Sequence, residues 1–183
     1  MAHYYTADLH LCHENIIRIC NRPYAGVDEM NAALIENIRS VVTQKDDLWI
    51  VGDLAMCRGA EGRAEVERLL RRIPGRKHLI TGNHDKQWVQ DLGWTSVAPL
   101  REIKDEKRRV TLCHYPLMTW PGSRHGALQF FGHVHDNWEG CRGSVNVGVD
   151  LWGYRPVTYE EIQERSNRLP RNLYWDVLEP GAE

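Results

Sequence analysis

Five short apolar runs punctuate the chain, and each stops on Gly, Asp, Asn or His: "HYYTADLH", "DLWIVGDLA", "KHLITGNHD", "RVTLCHYP" and "ALQFFGHVH". They are rich in β-branched and aromatic residues and bounded by turn formers, which predicts strands. Several are apolar throughout instead of alternating, as expected where both faces of a strand are buried. "SVNVGVD" and "TSVAPLREI" read as two further strands. Between the first two runs, Met30, Leu34, Ile38 and Val41 recur at helical spacing, with Asp28 as the expected N-cap. After the second run, Val66, Leu69, Leu70 and Ile73 form one stripe that stops at Pro74-Gly75. Strand, helix, strand, helix, strand is the α/β pattern, and a hairpin around "KDEKRR", a solvated turn, predicts an antiparallel element in the second half. The last stretch predicts a helix from Thr158, a break at Pro170, and an apolar cluster of Leu173, Tyr174, Trp175, Val177 and Leu178 packed on the sheet. A homodimer contact is the alternative reading of that cluster.

Length and composition narrow the class. At 183 residues, 42% hydrophobic and 26% charged, the chain fits one globular domain spanning residues 1–183. A net charge of -2 supplies no broad electrostatic reason to bind nucleic acid or an anionic membrane. The start "MAHYYTADLH" does not read as a leader, and no apolar run approaches the roughly 20 residues that span a bilayer, so a cytoplasmic protein is expected. Five cysteines without a C-x-x-C pair are expected as free thiols.

The run ends carry the chemistry. Asp8-x-His10 closes the first, Gly52-Asp53 the second, Gly82-Asn83-His84-Asp85 the third, His114 the fourth and Gly132-His133-x-His135 the fifth. In open α/β sheets ligands bind outside the carboxyl ends of strands, so these side chains are expected to converge on one crevice. Residues two apart on a strand share a face, which would let Asp8 pair with His10 and His133 with His135. Carboxylate, imidazole and amide oxygen without thiolate suit Mn²⁺, Fe²⁺ or Zn²⁺. Seven candidate ligands exceed what one ion takes when it must keep an open position, whereas two ions sharing a bridging carboxylate would use them all. Arg22 and Arg58 are candidate phosphate contacts because a guanidinium fork matches phosphate oxygens, with surface ion pairing as the alternative. His13 is a further candidate at the rim, and with Glu14 and Asn15 it could equally cap the segment "IIRICN".

The ordered set D-x-H, G-D, G-N-H-D, H, G-H-x-H resembles the calcineurin-like metallophosphoesterase superfamily from Asp8 to His135. The resemblance implies a four-layer αββα sandwich of two mixed sheets. It also implies two divalent ions, Mn²⁺ first with Fe²⁺, Zn²⁺ or Ni²⁺ as alternatives. One ion would take Asp8, His10, Asp53 and His135, and the other Asp53, Asn83, His114 and His133, with Asp53 bridging. His84 would act as an acid or donor near the leaving oxygen, and Asp85 would orient it. The implied activity is hydrolysis of phosphate esters, with phosphodiesters or nucleotides as the expected substrates. The alternative is a non-catalytic interaction module on the same fold. One departure from many relatives is Leu54-Ala55-Met56 after Gly52-Asp53, where they carry a further acidic residue.

Overall fold

The computed structural model describes residues 1–178. In chain order the elements are β1 (His3–Thr6), α1 (Glu14–Ile19), α2 (Val27–Val41), β2 (Asp47–Val51), α3 (Gly59–Arg72), β3 (Arg76–Ile80), α4 (Gln87–Gln90), β4 (Ser96–Ala98), β5 (Leu100–Asp105), β6 (Arg108–Cys113), β7 (Leu128–Phe131), β8 (Gly140–Cys141), β9 (Ser144–Asn146), α5 (Tyr159–Arg168) and α6 (Trp175–Leu178). One sheet has the order β1-β2-β3-β4 and the other β5-β6-β7-β9-β8. The first is wholly parallel, whereas the second combines parallel β6-β7-β9 with antiparallel pairs at both edges. The α/β sandwich expected from the sequence is therefore present, with only one of its sheets mixed.

The apolar runs are buried on both faces because each faces a different core. In β2, Leu48 and Ile50 pack with Ile16 of α1, Leu34 and Ile38 of α2, and Val66 and Leu69 of α3. Trp49 and Val51, one residue out of phase, pack with Leu112, Phe130 and Val145 of the second sheet. The two-residue period of a strand thus sends alternate side chains into a helix-to-sheet core and a sheet-to-sheet core. Tyr5 meets Phe130 edge-on at 4.7 Å across the second core. Its hydroxyl, kept protonated by burial and by the facing carboxylate, donates to Asp105 Oδ2 at 3.0 Å.

Three local readings change. "TSVAPLREI" is two strands, β4 and β5, placed in different sheets on either side of Pro99, where a residue without an N–H suits the break. Asp28 is not the cap of α2; Gly26 holds that position, and Asp28 lies in the first turn, where a negative charge still suits the helix dipole. The C-terminal cluster does not pack as expected: Leu173, Tyr174, Val177 and Leu178 are exposed, and Trp175 alone docks, 5.2 Å from Trp120. By contrast α5 starts behind Thr158, whose side chain forms a capping box with Glu161. Among the described residues no helix is long and apolar enough to cross a membrane.

The sheet-to-sheet core holds the two sets of strand ends against each other, so its integrity is a precondition for the site. Phe130→Ala is expected to cost about 3–5 kcal/mol in urea denaturation. A loss below about 1 kcal/mol would contradict the facing arrangement of the sheets.

Candidate metal centre

Each strand run stops where its chain must turn sharply into a crevice between the sheets. Asp8 and His10 follow β1, Asp53 follows β2, Asn83 and His84 follow β3, His114 follows β6, and His133 and His135 follow β7. Five of these residues have left-handed backbone: Asp8 at φ 57°, His10 at 50°, Asp53 at 55°, His133 at 72° and His135 at 49°. That region costs an L-residue about 1–2 kcal/mol. Asp and His tolerate it better than most residue types, and strain of this kind clusters at functional sites. The expected strand alternation is therefore not what pairs Asp8 with His10 or His133 with His135; consecutive turns in irregular backbone do so.

Glycines let these turns approach one another. A Cβ on Gly82 would lie 2.3 Å from Asp53 Oδ1, and one on Gly132 would lie 2.5 Å from Asp8 Oδ2. The Gly in "GNHD" and in "GHVH" is thus required by the close approach of the neighbouring carboxylate.

All seven side chains read from the sequence as ligands lie in one contiguous group. Ligand atoms of Asp8, His10 and His135 are within 4.8 Å of one another, as are those of Asp8, Asp53 and His114. His10 Nε2 is 3.6 Å from Asp53 Oδ2, and His114 Nε2 is 3.4 Å from the same oxygen. Asn83 Oδ1 lies 3.2 Å from His114 Nε2 and 3.0 Å from His133 Nδ1. Asp8, His10, Asp53 and His114 form a buried floor; Asn83 and His133 stand exposed at the rim, with Tyr115 4.7 Å from the His133 ring.

This arrangement fits a cation. Both ring nitrogens of His10 are buried without a hydrogen-bond partner. The Val51 carbonyl, 2.9 Å from His114 Nδ1, can only accept, so that nitrogen carries hydrogen and Nε2 faces Asp53 and Asn83. Those atoms are all acceptors when the ring is neutral, so a proton or a metal ion must bridge them. Burial pushes the Asp8 carboxyl up to about 6, the direction expected of a carboxylate short of positive charge. Burial likewise takes His10 down to about 3, leaving a neutral ring with a free lone pair. At Asp53 burial acts upward, but the hydrogen bond and charge of His114 and the His84 backbone N–H outweigh it, giving about 2. Asp53 is thus an anion at the middle of the group.

The remaining candidates behave differently. His84 donates its backbone N–H to Asp53 Oδ1 at 2.9 Å and keeps its ring a third exposed, with Nε2 3.9 Å from Asp53 Oδ2. Asp85 does not bond to the His84 ring; its carboxylate accepts the backbone N–H groups of Gly82, Asp53 and Leu54 at 2.8, 2.8 and 3.0 Å. Its reach is taken up by tying the two loops together. His13 stands 5.3 Å from the His10 ring with a buried, unpartnered Nδ1, and its side chain does not cap α1. Arg22 is not available to phosphate, because it is buried and bonded to Asp150 and to the carbonyls of Asp8 and Leu9. Arg58 is exposed at the start of α3.

Asp150 was not among the sequence candidates. Its Oδ2 accepts from His135 Nδ1 at 2.9 Å, where hydrogen bonds to Asp150 and to Cys20 outweigh burial and push the imidazole up to about 10. Asn146 supports the same loop by donating to the carbonyls of His135 and Trp138 at 2.8 and 2.9 Å. Both residues lie on or just after the run "SVNVGVD", so extending the strand-end rule to that run would have found Asp150.

If the group holds metal, Mn²⁺ added to metal-stripped protein should raise Tm, with about 2.7 kcal/mol of stabilisation at about 100 times Kd. Gly132→Ala, whose Cβ presses on Asp8, should lose most of that shift. Equal shifts in both proteins would count against the assignment.

No family model matches the sequence. The uncharacterized protein MJ1445 of Methanocaldococcus jannaschii is 32% identical over 166 residues, covering 87% of this chain and 88% of that one. The Gene 66 protein of Mycobacterium phage L5 is 27% identical over 198 residues, covering 91% and 94%. Among solved structures, the protein of unknown function AQ665 from Aquifex aeolicus overlays with a TM-score of 0.73 at 26% identity, covering 90% of this chain and 98% of that one. YfcE, a phosphoesterase from E. coli, overlays with a TM-score of 0.42 at 20% identity, covering 81% and 78%. The chain thus belongs to the family of MJ1445, and its ordered motifs from Asp8-x-His10 to Gly132-His133-x-His135 stand at the strand ends of two facing sheets.

Proposed function

We propose that this protein is a dinuclear metal-dependent phosphoesterase, acting on phosphodiesters or nucleotides. The observation that carries the reading is the seven-residue acceptor group centred on Asp53, with His10 orphaned and His114 turned inward by Val51. Asp8, His10, Asp53 and His135 would hold one ion, and Asp53, Asn83, His114 and His133 the other. Mn²⁺ suits this set of carboxylate, imidazole and amide oxygen, with Fe²⁺, Zn²⁺ and Ni²⁺ as alternatives. Two bound divalent ions would supply Lewis-acid activation of water and neutralisation of phosphoryl charge.

The chain's own residues do the rest. Asp53, tied through Oδ1 to the His84 backbone, fixes the distance between the two halves of the site. Asp85 locks the loops carrying Asp53 and His84 to each other through backbone N–H groups. The partly exposed His84 ring, 5.4 Å from the His10 ring, would give a proton or hydrogen bond to the leaving oxygen, and His13 lies on His10 as well. Asn83, His133 and Tyr115 are exposed at the rim, so a second ester substituent could extend into solvent there, which suits diesters. Five free cysteines fit a cytoplasmic location.

A second reading, a partner-binding module or homodimer, is favoured by the exposure of Leu173 at 83% and Val177 at 75%. It predicts binding that survives loss of the metal ligands.

Metal-stripped protein resupplied with Mn²⁺ is expected to hydrolyse bis-p-nitrophenyl phosphate faster than p-nitrophenyl phosphate. Asp53→Asn should abolish both activities. Undiminished turnover without metal would refute the reading, and a reversed preference would move the substrate to monoesters. His84→Ala is expected to lower kcat about 100-fold with metal content unchanged; loss of bound metal instead would make His84 a structural residue.

A further inference from the structure

Arg22 is a buried guanidinium that joins the turn carrying Asp8 and His10 to Asp150, the partner of His135, and its bonds leave it no freedom to meet a substrate. Its Nε and Nη2 donate to the two Asp150 carboxylate oxygens at 2.8 and 3.1 Å. Nη2 also donates to the Asp8 carbonyl at 2.7 Å, and Nη1 to the Leu9 carbonyl at 3.0 Å. The side chains of Arg22 and Asp150 are 0% and 2% exposed. A planar fork with five donors can satisfy a carboxylate and two carbonyls at once, which an ammonium cannot.

What the fork joins gives it a role. On one side lie the carbonyls of Asp8 and Leu9, in the left-handed turn that carries Asp8 and His10. On the other, Asp150 accepts from His135 Nδ1 at 2.9 Å, which fixes the hydrogen on Nδ1 and leaves Nε2 as the ligating atom. The ligand atoms of Asp8, His10 and His135 meet within 4.8 Å although they arrive from chain segments more than a hundred residues apart. No side chain of the other arm, Asn83, His114 or His133, shows a bond to Arg22 or Asp150 in this network; they are held by Val51, by Asp53, by one another and, through the His133 backbone N–H, by the Asp8 carboxylate.

We infer that Arg22 and Asp150 are positioning residues that assemble one of the two metal sites selectively, the one formed by Asp8, His10, Asp53 and His135. The inference rests on the dinuclear reading above. A buried ion pair that served only to hold the fold would, on removal, weaken both sites alike or neither.

The test is Co²⁺ titration of the full metal-stripped chain, followed by visible absorption and calorimetry, on the unchanged protein, Arg22→Met, Arg22→Lys and Asp150→Asn. Asp150→Asn keeps the shape but removes the charge and sets an amide N–H against a donor, either Arg22 Nε or the pair Arg22 Nη2 and His135 Nδ1, so the link between Arg22 and His135 is weakened. The unchanged protein should take up two ions. Arg22→Met and Asp150→Asn should keep one ion at unchanged affinity and bind the other 10–100-fold more weakly, and Arg22→Lys, which keeps the charge but can reach fewer partners, should recover part of the loss. Should Arg22→Met not fold by circular dichroism, Asp150→Asn decides alone. Two ions bound as tightly by the variants as by the unchanged protein, or equal weakening of both, would overturn the inference. Absence of two ions in the unchanged protein would instead overturn the dinuclear reading.

Discussion

A buried carboxylate must be met by charge or by hydrogen bonds, and this structure places two of them, Asp8 and Asp53, at the floor of one crevice among imidazoles that mostly have lone pairs to offer. Asp53 is compensated by His114 and the His84 backbone, whereas Asp8 accepts from the His133 backbone N–H, 3.0 Å from both its oxygens, and burial still outweighs the nearby His114 and His135. The left-handed turns, the glycines beside the carboxylates and the neutral His10 all serve the same end. They crowd acceptors into a space that a cation stabilises.

The fold makes this crowding tolerable. Two sheets share a core through Tyr5, Trp49, Phe130 and Val145, so the ends of β1, β2 and β3 face those of β6 and β7. Irregular backbone at those ends is anchored by a small number of polar links: Asp85 between the second and third loops, Arg22 and Asp150 between the first and the last, and Asn146 beneath His135. Each is buried or nearly so, and each uses most of its hydrogen-bonding capacity on backbone groups or on an oriented side chain. Rigidity at a site built from loops comes from these links.

Much of this was legible in the sequence, because polar residues that end apolar runs are informative about place as well as chemistry. The order of Asp8, Asp53, Asn83, His114 and His133 along the chain follows the order of strands, so convergence could be anticipated without knowing any turn. The conformation of the turns could not, since strand alternation gave the right pairs for the wrong reason. Arg22 looked like a phosphate contact because an arginine before a proline carries no mark of burial; its partner lies 128 positions away. The Asp85 carboxylate was likewise claimed by backbone N–H groups that no spacing rule exposes. Pro99 hid a change of sheet inside what read as one strand. At the far end, an apolar cluster that composition assigns to a core instead stands exposed before and on α6, apart from Trp175.

The dinuclear proposal puts Asp53 between two metal ions. X-ray diffraction from crystals grown with Mn²⁺, collected at the manganese absorption edge, tests it most directly. Two anomalous peaks are expected to flank the Asp53 carboxylate, one toward Asp8, His10 and His135 and the other toward Asn83, His114 and His133. A single peak, or peaks remote from Asp53, would contradict it.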